Sequence, residues 1–193
     1  MGLTVVTPNT TKPVSVDLAK EHLRVTHDHE NAYIELLIQS AAQVIAETNS
    51  RALLNTVYDR TFDGFPVGRC IELRPVAASA ITSIKYQDED DTEQTFSDSS
   101  YTLDASRLVP AVYLDRDASW PATRSGELST VTIRFTAGYG TAQTDVPPNA
   151  RIAILMAVEV AYKIRSPVVT GTIVSTVSQT MDALLGPLWV PKV

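Results

Sequence analysis

Residues 152–158 are seven consecutive apolar side chains, in a segment that opens at Pro147-Pro148 and closes at Ser166-Pro167. Proline suits a first helical turn, where its missing N–H has no intrahelical partner, and the residue before a proline is pushed out of the helical region. The segment therefore reads as a helix, and a helix apolar around most of its girth is buried on several sides. Arg151, Glu159 and Lys163 interrupt it, so it falls short of the roughly 20 apolar residues that a membrane span needs. This helix has to sit in a protein core.

Its partners are read near the start of the chain. Ser15 is a good N-cap for a helix over residues 16–24, with Asp17 in the first turn, where the helix dipole favours an anion. The stretch Thr26-His27-Asp28-His29 breaks the pattern, and a second helix follows to about Asn49. Its residues Ile34, Leu37, Ile38, Ala41, Val44, Ile45 and Thr48 recur at steps of three and four, an amphipathic stripe.

Between these helices the pattern changes to strands. Residues 56–62 are β-branched and aromatic, and Asp63-Gly64-Phe65-Pro66 closes them as a turn. Residues 81–87 and 92–96 flank Asp88-Glu89-Asp90-Asp91 as a hairpin, and 109–115 form a further strand. In residues 131–136, Val131, Ile133 and Phe135 alternate with Thr132, Arg134 and Thr136, so one face is apolar. The expected fold class is α+β: a small helical core of three main helices, an inserted antiparallel β-rich module and an extended C-terminal tail. The boundaries are 1–52 for the N-terminal helices, 53–146 for the β-rich module, 147–167 for the core helix and 168–193 for the tail, all one domain.

Composition narrows the function. With 16 basic and 22 acidic residues the net charge is −6, against the clustered cations that grip nucleic acid. A single cysteine, Cys70, excludes an internal disulfide framework and a cysteine-built zinc site. No secretory leader is expected, and Val6 breaks the myristoylation pattern. His27, Asp28, His29 and Glu30 offer metal-ligand chemistry, but alternate residues in a helix-starting turn are expected to point apart, so no metal is assigned. Asp88, Asp90 and Glu93 resemble the opening of a calcium loop, which fails because Glu93 and Ser99 occupy the positions that need Gly and Glu. Cys70 lacks a neighbouring base, and no phosphate loop, nucleophile elbow or dinucleotide fingerprint occurs. Trp120 with Tyr139 would suit a sugar platform, though aromatics in a small β-module more often fill its core. No catalytic residue and no cofactor is expected.

The tail, 168–193, carries no charge from Ser166 to Met181, and its β-branched run would be an unguarded strand if exposed. It is expected to be dispensable for folding and to pair as an added strand with a neighbouring subunit or another protein; the alternative is a tail folded back over the apolar helix, whose removal would prevent folding. A short helix, 181–185, then leads to an apolar anchor at Leu188, Trp189 and Val190. The candidate docking residues are Val168, Val169, Ile173, Val174, Val177, Leu184, Leu185, Leu188, Trp189 and Val190. The candidate acidic surface is Asp88, Glu89, Asp90, Asp91 and Glu93.

The order of these signals resembles the head–tail connector (adaptor) proteins of long-tailed phages and phage-like particles. The residues that carry the likeness are 16–25, the helix 33–48 closed by Asn49-Ser50-Arg51-Ala52-Leu53, and Ile81-Thr82-Ser83-Ile84-Lys85-Tyr86. Trp120-Pro121, residues 131–140, Val146-Pro147 with its apolar helix, and Asp182-Ala183-Leu184-Leu185-Gly186-Pro187 complete the set. A basic residue after the Leu-Leu-x-Pro stretch is missing, replaced by Leu188-Trp189-Val190. The resemblance implies a non-enzymatic virion protein, made in the host bacterial cytoplasm and placed in the neck between capsid and tail. Its implied partners are the portal protein, copies of itself in a ring, commonly twelve, and a downstream neck or tail protein. Double-stranded DNA would pass through the ring without specific binding, and no membrane is involved. The alternatives are another neck role (stopper or tail-completion), a carbohydrate-binding β module, or a hydrolase using Cys70 and a histidine.

Overall fold

The computed structural model describes residues 2–124, 126–164 and 174–190, with backbone alone at 174–178. The chain is α+β and divides into two compact units, Met1–Asn9 with Asn55–Gly138, and Thr10–Leu54 with Tyr139–Val193. None of the described helices is long and apolar enough to cross a membrane.

The first unit is built of strands. A five-stranded sheet has the order β1 (Gly2–Thr7), β2 (Thr56–Phe62), β8 (Val131–Ala137), β4 (Ala78–Gln87) and β5 (Glu93–Thr95), every neighbour antiparallel. A smaller sheet orders β3 (Cys70–Glu72), β7 (Ala111–Leu114) and β6 (Tyr101–Asp104). The alternation expected in β8 is present: Val131, Ile133, Phe135 and Ala137 are buried, and the residues between them half-buried. On the other face Arg134 donates Nε and Nη2 to the two oxygens of Asp59 at 2.7 Å each, across the β2–β8 ladder.

Residues 2–7 were expected to lead into the N-terminal helices and are instead a strand of this unit. Their Leu3-Thr4-Val5-Val6-Thr7 run has the β-branched character of a strand. It lies at the sheet edge with all six residues exposed, so it has no buried face to reveal as alternation.

The second unit is helical: α1 (Val16–Leu23), α2 (Asn31–Thr48), α3 (Pro148–Lys163) and α4 (Val174–Leu185). Ser15 caps α1 as expected, its Oγ accepting from Leu18 N at 3.1 Å. Pro148 occupies the first turn of α3, and Ala150, Ala153, Ile154 and Val158 are buried along it. Helix α2 buries Ile34, Ile38 and Ile45, but Val44 is exposed and Leu36 with it. The stripe is therefore narrower than its spacing suggested, since α2 packs with its Ile34–Ile38–Ile45 line in the core.

The tail departs most from expectation. Residues 174–185 are one helix, not a strand to 177 and a short helix from 181. Val174, Val177, Met181 and Leu184 recur at steps of three and four, a helical period that overrides the β preference of Val and Thr when packing is available. Its end is tied down. Asn149 Nδ2 donates to Leu184 O at 2.9 Å, and Arg51 Nε donates to Leu188 O at 3.0 Å, satisfying carbonyls that a helix C-terminus leaves without partners.

Candidate docking surfaces

The tail residues proposed for docking divide into three groups. Val168, Val169 and Ile173 lie outside the described residues, and Val174 and Val177 lie on α4. Leu184 and Leu185 pack partly buried against the helical core, which also contains Leu188. Leu188 is 5% exposed, Val190 is fully buried and Trp189 is 57% exposed. The expected three-residue anchor therefore has a different form: Leu188 and Val190 are turned inward, and Trp189 between them is presented. The split falls where the 3-10 turn Gly186–Leu188 gives way to extended backbone at Trp189.

The acidic hairpin between β4 and β5 is organised around Asp88. Its Oδ1 accepts from the backbone N–H of Asp90 at 3.0 Å and of Thr92 at 2.9 Å, and its Oδ2 accepts from Gln94 Nε2 at 2.9 Å. These bonds, led by that from Thr92, favour the carboxylate and hold its pKa below the ordinary aspartate value. Asp91 pairs with Arg124 at 2.6 Å, and Glu93 with Lys85 at 2.6 Å. Among the described residues, only Glu89 and Asp90 of the five acidic candidates show neither a cation nor a turn bond on the carboxylate. The segment is an Asx-braced tip with two of its charges locally neutralised.

Trp120 fills space between rings. It stacks on Phe65 with centroids 4.8 Å apart and planes 7° from parallel, Phe96 leans on it at 5.5 Å, and its Nε1 donates to Gly68 O at 2.8 Å. Tyr86 and Tyr101 extend the cluster through Phe65 and Phe96. Tyr139 belongs to the other unit, where its hydroxyl accepts from Arg51 Nη1 at 2.9 Å. Each ring is thus committed to a local role, which removes the observation that suggested a sugar platform.

The histidines do come together, against expectation. Because α2 starts only at Asn31, residues 27–30 form a turn that stacks His27 on His29, centroids 3.7 Å apart and planes 17° from parallel. With Glu30 they bring possible ligand atoms within 4.8 Å of one another. Imidazole lone pairs lie in the ring plane, so near-parallel stacked rings do not converge on one point between them. Glu30 is already the acceptor of the Tyr162 hydroxyl. Cys70 is half-buried on β3 opposite Tyr113, in the unit that holds none of the three histidines.

No protein-family model matches the chain, and no curated protein is significantly similar to it. Its fold has close counterparts among solved structures. A chain of the "neck of empty GTA particle computed with C6 symmetry" superposes with a TM-score of 0.83 at 20% identity, covering 100% of this chain and 97% of that chain. A chain of the "virion of native gene transfer agent (GTA) particle" gives 0.80 at 19% identity, over the same shares of the two chains. A chain of the "neck of native GTA particle computed with C12 symmetry" gives 0.76 at 19%, again over the same shares. The fold is shared over nearly the whole of these chains from gene transfer agent particles.

Proposed function

We propose that this chain is a structural neck protein of a phage or phage-like particle, an adaptor that forms a ring beneath the portal and joins capsid to tail. The observation that carries this reading is the full-length likeness in fold to chains from gene transfer agent necks, set beside the order of sequence signals that resembles the connector family. Cyclic symmetry in those necks supports a ring of copies for this chain. A structural role asks for no cofactor and no catalytic group.

The charge balance agrees with a conduit for DNA. A net charge of −6 leaves a polyanion free to slide where a basic lining would hold it. Glu89 and Asp90 are the hairpin-tip charges that contribute most to such a surface. A stopper role shares the fold evidence; the adaptor reading is preferred because the tail presents Trp189, a large exposed ring flanked by two inward anchors that fix its direction. A Trp of this kind dominates an interface once a partner covers it.

The test is binding to the portal protein of the particle in which the chain is found. Trp189→Ala is expected to weaken that binding by at least about tenfold while moving Tm little, because the ring is exposed in the free chain. Isothermal titration and a thermal melt read the two quantities. Unchanged affinity for the portal contradicts the adaptor reading.

A further inference from the structure

The five-stranded sheet is open at both ends, and the two ends match. At one end β1 has a neighbour only on its β2 side among the described residues, all six of its residues are exposed, and Leu3 and Val5 are about half so, at 51% and 50%. At the other end β5 covers only a part of β4, pairing with Lys85, Tyr86 and Gln87, and Phe96 N adds one bond to Ile84 O at 2.8 Å. Among the described residues, 78–83 have no partner strand on that side, with Ser79, Ala80 and Thr82 exposed. Both free stretches are six residues long, and neither contains a charged residue or a proline. Natural edge strands are normally guarded by charges, prolines, bulges or extreme shortness, and of these the two stretches carry bulges. Bulges at Val6 on β1 and at Ser79 and Thr82 on β4 bend these edges without capping them.

Strand polarity says what fits there. The order β1-β2-β8-β4 is antiparallel at each step, so β4 runs opposite to β1. Copies set side by side in the same orientation therefore bring β1 of one against β4 of the next in the antiparallel sense. A ring needs such a head-to-tail contact between two different surfaces of one chain, whereas β1 against β1 closes a two-fold dimer. The absence of charge on either edge means that no ion is desolvated and no like charges meet on pairing.

Building on the ring reading above, we infer that β1 of each copy adds to the free half of β4 in its neighbour, residues 2–7 against 78–83, joining the sheets around the ring. Main-chain bonds supply the contact, as in other strand additions, and the apolar Leu3 and Val5 gain a covered face.

Cross-linking tests the pairing. In that register Val5 lies opposite Ala80, and directly opposed antiparallel residues have the Cα separation that a disulfide needs. The full chain carrying Val5→Cys, Ala80→Cys and Cys70→Ser, oxidised at about millimolar concentration to populate a weak contact, is expected to yield a ladder of linked dimers, trimers and higher species. Adding Leu3→Lys, at an exposed position, is expected to cut the linked yield roughly tenfold with an unchanged melt. Absence of a ladder overturns the inference. Dimers from the Val5→Cys or the Ala80→Cys chain alone overturn it too, since they report two-fold pairing. Particles that carry the chain as a ring without a Val5–Ala80 link refute the edge contact and leave the neck reading intact. A chain that ladders in vitro but is missing from particles does the reverse.

Discussion

A chain ending at Ile164 is expected to melt at least roughly 10 °C below the full chain. The cut removes Leu188 and Val190, both buried, and each such side chain contributes about 1.5–3 kcal/mol through burial. It also uncovers the part of the helical core against which Leu184 and Leu185 pack, and it ends the bonds from Asn149 to Leu184 O and from Arg51 to Leu188 O. Those bonds are worth about 1 kcal/mol each. The sum, roughly 5–8 kcal/mol, is a large share of the 5–15 kcal/mol that separates a folded domain from its unfolded chain. A tail that served only for docking would leave the melt where it was, and circular dichroism distinguishes the two. On this account the described part of the tail is structural rather than dispensable, and Trp189 is its exposed ring.

Phe135→Ala is expected to cost about 3–5 kcal/mol in urea unfolding of the β unit. Phe135 is fully buried on β8, the strand bonded on both sides by β2 and β4, and Tyr58 opposite it in register stacks at 5.8 Å between centroids. Truncation there opens a cavity that flanking strands cannot collapse to fill. The comparison is with Arg134→Ala one residue away. Arg134 makes two 2.7 Å bonds to Asp59, yet the side chains are 43% and 20% exposed, so solvent screens the pair and its loss is expected to be much the smaller of the two. An Arg134→Ala chain less stable than Phe135→Ala would contradict this account of what holds the sheet.

Elements with one dry and one wet face were legible in the sequence, because burial writes a period into the residues. The alternation of β8 is of that kind, while α3 was legible from its unbroken apolar run behind Pro147-Pro148 and α1 from its Ser15 cap. Strand β2 was read at its observed bounds, Thr56–Phe62. Elements defined by a neighbour were not legible. Strand β1 has no buried face, and β3 and β6 owe their existence to β7 between them. Helix α4 carried a helical period in residues whose own preference is β, and its fate turned on packing with α3 and on Asn149 and Arg51, which lie 35 and 137 residues from their acceptors. The histidine turn shows the same limit: the spacing of His27 and His29 is compatible with rings pointing apart or stacking, and only the late start of α2 decides it. The candidate docking residues were drawn from one run of sequence, and the division between inward Leu188 and Val190 and outward Trp189 required the fold.

Electron cryomicroscopy of the particle whose genome encodes this chain tests the central claim most directly. The neck reading predicts density for this fold as a closed ring between the portal vertex and the tail, with the DNA channel running through its centre. Particles complete at that junction without this fold, or with it confined to another part of the virion, would contradict it.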